Sequence, residues 1–428
     1  MFNEKICHER NEERMRRTLK HLFNEKICHE RNEERMRRTL KHLVVLLLAA
    51  LILVTAVACS SSPGTGLSPS ANVTSEDGDQ EVDGKLVFDR EEELEFAAEF
   101  TLTHYKGGYK EFTVSSAPEK KFLIVPEGKS VPDGLDANTV VLKQPLNRIC
   151  LNSTGMVSLV DAIGGLDNIA TVGYDIDSWY LDNVIAKMQA GEIKYSGNYK
   201  APDFEMLTSE GVNLEVDTTM LLNHPEVMAK YEELNIPYFI ETSSKEGHPL
   251  GRVEWVKLFG ALMGLEDRAN TYFQEQVNKL KLVTATEKTG KTVAMFYLST
   301  DGQKVYARNG GDYMAQMIEL AGGTYIMADV APDKSGTTST TMEDLYSRCM
   351  DADYLFYVNF AQKFSSIEEM VEKMPLVADF KAVKEGRVYI TAPNFTQSTA
   401  AIGGIIEDMN AVLRDPGIDS TNSLIKLK

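Results

Sequence analysis

An α/β protein of two lobes on parallel sheets, joined by one long helix and preceded by a small β-region, is what this 428-residue sequence predicts. Three observations carry that reading. Apolar runs of strand length alternate with Gly-punctuated turns and helical patterns, as in PLNRICLNST (145–154) followed by GMVSLVDAIGGLDNIATVG (155–173). The part with core-forming composition runs to roughly 340 residues, more than one hydrophobic core usually serves. Residues 266–287, EDRANTYFQEQVNKLKLVTATE, contain neither Gly nor Pro and repeat apolar residues at helical spacing, which gives a rod of about 30 Å.

The chain opens on a duplication. Residues 2–22, FNEKICHERNEERMRRTLKHL, recur unchanged as residues 23–43. A solenoid unit would carry its own apolar face; this one is charged all round and occurs twice, so residues 1–35 are set aside as an extension that is not structural. Residues 36–58 read as an export signal. A basic stretch, MRRTLKHL, precedes the uncharged run Leu43–Ala58, whose 16 residues are too few to span a bilayer as a helix. Ala56 and Ala58 stand before Cys59, an arrangement that resembles the lipobox of bacterial lipoproteins. The resemblance implies that Cys59 takes a lipid, becomes the new N-terminus and holds the chain to the outer face of a cell membrane. Residues 59–85 follow as a tether, rich in Ser, Gly, Pro and Asp and unable to bury a core.

Residues 86–264 form the first lobe with its β-prelude, 265–288 the connecting helix and 289–428 the second lobe. The prelude is read from LEFAAEFTLTHY (94–105), YKEFTVS and KKFLIVPEG, which alternate apolar and polar residues. The first lobe adds VNLEVDTTMLLN and PEVMAKYEELNIPYFIET to the pair quoted above. The second lobe begins at KTVAMFYLST (291–300) and continues through GGDYMAQMIELAGGTYIMAD, DADYLFYVNF and GRVYITAPN.

Charge bounds the partners. Residues 1–58 hold 12 basic and 8 acidic side chains, leaving 33 against 55 and a net of −22 for the remainder. Such a surface repels nucleic acid and anionic headgroups, so no nucleic-acid partner is expected, and the membrane is reached only through the lipid. Cys150 and Cys349 each sit among apolar residues and are expected as buried thiols.

Four stretches, PLNRICLNSTGMVSLVDAIGGLDNIATVG, HPLGRVEWVKLFGALMG (248–264), GGDYMAQMIELAGG (310–323) and AVKEGRVYI (382–390), resemble in content and order the substrate-binding proteins of ABC importers for iron complexes, haem and cobalamin. The resemblance covers roughly residues 145–395. It implies class III architecture: Rossmann-like lobes, one bridging helix, and a ligand held between them with modest closure. It implies an ABC permease with its ATPase as partner, and a ferric siderophore, haem or cobalamin as cargo for a monomeric, extracytoplasmic carrier without a cofactor.

Candidate ligand-binding residues follow from where strands end. Open parallel sheets bind ligands beyond their carboxyl edges, where helix N-termini offer free N–H groups. Asn152, Ser153 and Thr154 stand there after the first strand, as ligand contacts or as plain helix caps. Tyr174, Trp179 and Tyr180 in GYDIDSWYLDN offer aromatic faces to a macrocycle or catechol, or fill the core. In VYARNGGDYMAQ, Arg308, Asn309 and Tyr313 occupy a strand-to-helix turn, where the Arg fork suits an oxygen-rich chelate or pairs with Asp312. Asn359, Asn394 and Phe395 end later strands in the same way. Resemblance further implies permease docking through Glu205 and Glu343, with Glu210 as a substitute for the first; helix N-terminal charge would place Glu at both positions without any partner.

Rival functions find less support. Three histidines, His104, His224 and His248, remain after residue 58 and are too scattered for a zinc or manganese site, so no metal site is expected. The sequence contains no G-x-S-x-G, P-loop, H-E-x-x-H or helix-opening G-x-G-x-x-G, and an enzyme is not expected.

Overall fold

The computed structural model describes residues 84–428. The duplicated extension, the export signal, Cys59 and nearly all of the tether therefore lie outside the described residues.

Five strands form the prelude: β1 (Phe88–Glu91), β2 (Phe100–Tyr105), β3 (Lys110–Val114), β4 (Lys121–Val125) and β5 (Thr139–Lys143), hydrogen-bonded in that order. All pairings are antiparallel except β4 with β5. Alternation sends Phe100, Leu102, Phe112 and Phe122 to one face, where Phe112 packs at 5.2 Å from Phe239 and Phe100 at 4.8 Å from Trp255. The expected strand from Leu94 begins only at Phe100. Residues 95–99 leave the sheet because their N–H groups turn to buried carboxylates: Glu95, Phe96 and Ala97 donate to Glu254, and Ala98 and Glu99 to Glu246.

The second sheet is parallel, as expected. It comprises β6 (Ile149–Leu151), β7 (Ile169–Val172) and β8 (Lys194–Tyr195), then, after a small hairpin of β9 (Gly197–Asn198) and β10 (Ala201–Pro202), β11 (Leu214–Thr218) and β12 (Tyr238–Glu241), in the order β12-β11-β6-β7-β8. Helices α1 (Thr154–Ala162), α2 (Asp182–Gln189), α3 (Phe204–Ser209) and α4 (Pro225–Glu233) form the crossovers, and α5 (Pro249–Glu254) and α6 (Val256–Met263) follow. Ser153, Asp203 and His248 cap α1, α3 and α5 through their side chains.

The long helix is α7 (Glu266–Thr284), 19 residues or about 28 Å. It buries Ala269, Phe273, Gln276, Val277, Leu280 and Val283 along one face. That face meets α6 from before it and, from after it, the last helix of the chain, Ile402–Arg414. Both approaches use glycine. A Cβ on Gly260 would lie 2.7 Å from the Ala269 Cβ, and one on Gly403 would lie 2.7 Å from the Gln276 carbonyl oxygen.

The third sheet holds β13 (Thr292–Leu298), β14 (Val305–Arg308), β15 (Thr324–Tyr325), β16 (Thr337–Thr340), β17 (Tyr354–Tyr357), β18 (Val388–Thr391) and β19 (Leu424–Lys426). It is mixed rather than wholly parallel. β13, β17 and β18 are parallel, but β14 returns antiparallel beside β13 because Asp301-Gly302 closes a hairpin, and β16 and β19 also run antiparallel. Its helices are α8 (Tyr313–Leu320), α9 (Met342–Cys349), α10 (Ile367–Lys373), α11 (Lys381–Lys384) and α12 (Ile402–Arg414). Cys150 and Cys349 are free and buried. Among the described residues no helix is long and apolar enough to cross a membrane.

Candidate functional site

The two α/β lobes meet along three seams, and each contains residues selected from the sequence. Nearest the long helix, the N-terminus of α1 abuts the segment 395–401. The Ala400 N–H donates to Ser158 Oγ at 3.2 Å, the Tyr272 hydroxyl donates to the Ala400 carbonyl at 3.1 Å, and a Cβ on Gly155 would lie 2.8 Å from Thr399 Oγ1. The helix α1 is thus packed against residues 395–397 and 399–401, with Phe395 buried. Ser153 accepts from the Gly155 N–H at 3.2 Å, which is the capping role. Asn152 points elsewhere: it is buried, with Nδ2 donating to Glu215 at 2.5 Å and Asp217 at 2.9 Å.

A second seam runs past the aromatic stretch. Trp179 is buried and its Nε1 donates to the Tyr174 carbonyl at 3.1 Å, while the rings of Tyr174 and Tyr180 remain exposed. Trp179 thereby props the loop, and the two tyrosines offer their faces. Gln397 crosses from the other lobe, donating to the Ser178 carbonyl at 2.7 Å and accepting from the Tyr180 N–H at 2.9 Å.

The third seam is the most highly charged. Arg252 on α5 lies with its guanidinium 4.1 Å from the ring centre of Tyr313 on α8, a cation–π contact between lobes. Asp312, beside Tyr313, caps α8 through the Met314 N–H at 3.0 Å, accepts from the Gly336 N–H at 2.8 Å, and faces the Arg308 guanidinium at 3.9 Å. Arg308 also lies 5.7 Å from the ring centre of Tyr297. Tyr297 and Tyr306 are register partners across the β13–β14 hairpin and stack at 5.1 Å, and the exposed Phe360, just past β17, meets Tyr297 edge-on at 5.6 Å. Gln316 donates to the Gly247 carbonyl and Ser335 Oγ to that of Ser244 at 3.3 Å, closing the seam from below.

The two arginines share an unusual feature: Nε of Arg252 and Nε of Arg308 are buried and have no hydrogen-bond partner. A buried guanidinium N–H is costly to leave unpaired. Near Arg252, burial pushes the Glu241 carboxyl above its ordinary range, against the pull of the arginine. Chemically the seam offers two donor forks from opposite lobes, flanked by tyrosine and phenylalanine faces, which suits an oxygen-rich anion with a flat or aromatic body.

The remaining selected residues are placed as follows. Asn309 is buried, donating to the Ser335 carbonyl at 2.9 Å and accepting from Thr338 at 2.6 Å, and so spends its side chain on the turn before α8. Asn359 closes its own loop by accepting from the Phe364 N–H at 2.8 Å. Glu205 and Glu343 lie in the first turns of α3 and α9, both exposed. Glu210 is taken up by Arg148 at 2.6 Å and by Lys194, and the hydrogen bond from Lys194, then that from Arg148, hold its carboxyl below the usual range. Of the two glutamates on α3's end of the lobe, Glu205 is therefore the one left for a partner. Arg252, Tyr297, Tyr306, Phe360 and Gln397 were not selected from the sequence. The signal for Tyr297 and Tyr306 was present in FYLSTDGQKVYAR, where an Asp-Gly turn sets them opposite one another; Gln397 carried none.

Comparison with known proteins agrees with this architecture. Residues 219–394 match the family model described as periplasmic binding protein. An uncharacterized lipoprotein of Methanocaldococcus jannaschii is 28% identical over 311 residues, covering 68% of this chain and 71% of the relative. Among solved structures, a periplasmic haem-binding protein from Pseudomonas aeruginosa superposes with a TM-score of 0.52 at 13% identity, covering 66% of this chain and 98% of that one. An ABC-type Fe3+-hydroxamate transport protein from Saccharomonospora viridis does so with a TM-score of 0.50 at 18% identity, covering 63% and 93%. Likeness at such identity shows the fold: two α/β lobes bridged by a long helix.

Proposed function

From the premise that this chain carries a periplasmic binding protein domain, we propose that it is the lipid-anchored, extracytoplasmic binding protein of an ABC importer, which captures a ferric siderophore or related metal chelate between its lobes and delivers it to a permease. The observation that carries the reading is the pair of buried, partnerless guanidinium Nε groups, one from each lobe, set against Tyr297, Tyr306, Tyr313 and Phe360. A chelate with carboxylate, catecholate or hydroxamate oxygens would satisfy both forks at once and draw the lobes together. In this reading the exposed Tyr174 and Tyr180 also face the ligand, and Ser153, Thr154 and Asn394 contact it from the strand ends. Lipid attachment at Cys59 and the tether 59–85 would hold the lobes within reach of a membrane partner.

Two proteins of this fold are named for haem and for ferric hydroxamate, which defines the panel worth testing. Isothermal titration of the purified protein against ferric hydroxamate, ferric catecholate, haem and cobalamin is expected to give its tightest binding with one of the two ferric chelates. Tightest binding of haem or cobalamin would transfer the reading to a macrocycle carrier, for which the stacked Tyr297–Tyr306 pair supplies the surface. Indifference to all four sinks the proposal.

Docking is tested separately. Exposed acidic residues at an interface steer and register an encounter more than they tighten it. Glu205→Lys and Glu343→Lys are each expected to reduce uptake in cells about tenfold while leaving ligand affinity unchanged. Uptake equal to wild type in the double variant would assign both side chains to helix-terminal charge alone.

A further inference from the structure

One face of the parallel sheet carries a second polar centre, under α4 and near the carboxyl ends of β6, β7 and β11. Cys150 on β6 is the register partner of Glu215 on β11 and of Thr171 on β7. Asn152 and Asp217 stand two residues further along the same strands, hence on the same face. Asn152 bridges the carboxylates through Nδ2, Ser196 Oγ lies 3.6 Å from Cys150 Sγ, and Tyr231 from α4 packs in the same apolar cluster as Cys150. Glu215 and Asp217 are both fully buried, and neither forms an ion pair with Lys or Arg among the described residues.

Two further observations point to a missing ligand. Seven buried side-chain atoms of the described residues lack a hydrogen-bond partner at normal length, and four of them belong to this one centre: Asn152 Oδ1, and Thr171 Oγ1, Glu215 Oε2 and the Tyr231 hydroxyl, which face only one another and Cys150, Glu215 toward Tyr231 and Thr171 toward Cys150. Beside them the chain has Gly173, where a Cβ would come within 2.1 Å of Asn152 Oδ1. That space admits either end of the Asn152 amide. A half-turn exchanges the Nδ2 donor, now between the carboxylates, for the Oδ1 acceptor.

We propose that this centre binds one hard divalent cation of the calcium class, held by Glu215, Asp217, Asn152 Oδ1, Thr171 Oγ1 and the Tyr231 hydroxyl. One divalent charge neutralises two carboxylates, and every donor is oxygen, as hard cations prefer. Two carboxylates and no histidine make a hard donor set rather than a transition-metal one, and among the described residues no group of three or more His, Cys, Asp and Glu side chains is arranged to hold a metal ion. The cation supplies counter-charge to both buried carboxylates, and it fixes the strand ends from which Ser153 and Tyr174 extend. The site is distinct from the arginine seam and does not depend on what that seam binds.

The full chain, stripped with EDTA and returned to pH near neutral, is the test. Calcium roughly a hundredfold above its dissociation constant should raise the unfolding midpoint by about 3–5 °C, and terbium should show luminescence excited through tyrosine. Glu215→Gln should abolish both effects, while Glu226→Gln, an exposed control on the same lobe, keeps them. Thr171→Val, nearly isosteric, gives the same reading if Glu215→Gln does not fold. A midpoint indifferent to calcium, or a calcium response unchanged in Glu215→Gln and Thr171→Val, overturns the proposal and leaves protons as the neutralising charge.

Discussion

Glu254→Ala is expected to destabilise the protein by about 4 kcal/mol, more than any single truncation of a surface charge. The Glu254 side chain is wholly buried, and its two oxygens accept the N–H groups of Glu95, Phe96 and Ala97 at 2.8, 2.7 and 2.8 Å, together with Lys257 Nζ at 2.9 Å. Removing the carboxylate strands three backbone donors in a site that water reaches poorly, while Lys257 keeps the Glu93 carbonyl at 2.9 Å and Glu92 at 3.5 Å. Each unpaired donor costs about 1–3 kcal/mol, and relaxation of the segment recovers part of it. The loss falls on the joint between the prelude and the first lobe, where Phe100 packs on Trp255. A lower urea midpoint, a red shift in tryptophan emission and new protease cleavage within residues 92–99 should appear together. Glu254→Gln keeps the volume but replaces an acceptor with a donor, and should lose about half as much. A urea midpoint equal to wild type in the alanine variant would mean that the prelude is held by its apolar face alone.

The same carboxylate shows where sequence reading stops. Period-2 alternation located β2, β3 and β4, because one face of each strand packs on Phe239 and Trp255 and the other does not. It also ran one strand on into residues 94–99, where alternation persists but the N–H groups go to Glu246 and Glu254, about 150 residues away in sequence. Nothing local marks such a partner. The long helix was legible since it lacks breakers and keeps one buried stripe over its length. Strand ends were legible too, and with them Arg308 and Tyr313. What those side chains meet was not. Asn152, Asn309 and Asn359 look alike from sequence, each polar and just past a strand, yet all three turn inward to satisfy buried groups. Arg252 carries no sequence signal of its own. Its role depends on α5 facing α8 across the seam, a contact set by the packing of α6 and α12 on the long helix rather than by any residue near Arg252.

Replacing both seam arginines is expected to abolish ligand capture while sparing the fold. A charge-assisted hydrogen bond to a ligand oxygen is worth about 1.5–3 kcal/mol, so Arg308→Ala and Arg252→Ala should each weaken affinity about 10- to 100-fold. The double variant should fall short of the product of the two, since the residues communicate through the adjacent Asp312 and Tyr313. Stability discriminates ligand contact from a structural ion pair at Arg308. Asp312 keeps the Met314 and Gly336 N–H groups at 3.0 and 2.8 Å when Arg308 is gone, and the 3.9 Å separation from the guanidinium is long for a strong pair. The unfolding free energy of Arg308→Ala should therefore fall by less than the roughly 3 kcal/mol that breaking a tight buried pair costs. Arg308→Lys keeps the charge and loses the fork, so its affinity should lie between wild type and alanine if the ligand is gripped by two oxygens, and equal wild type if charge alone matters. A large drop in stability with affinity intact would return Arg308 to the core and remove the seam's claim to be the binding site.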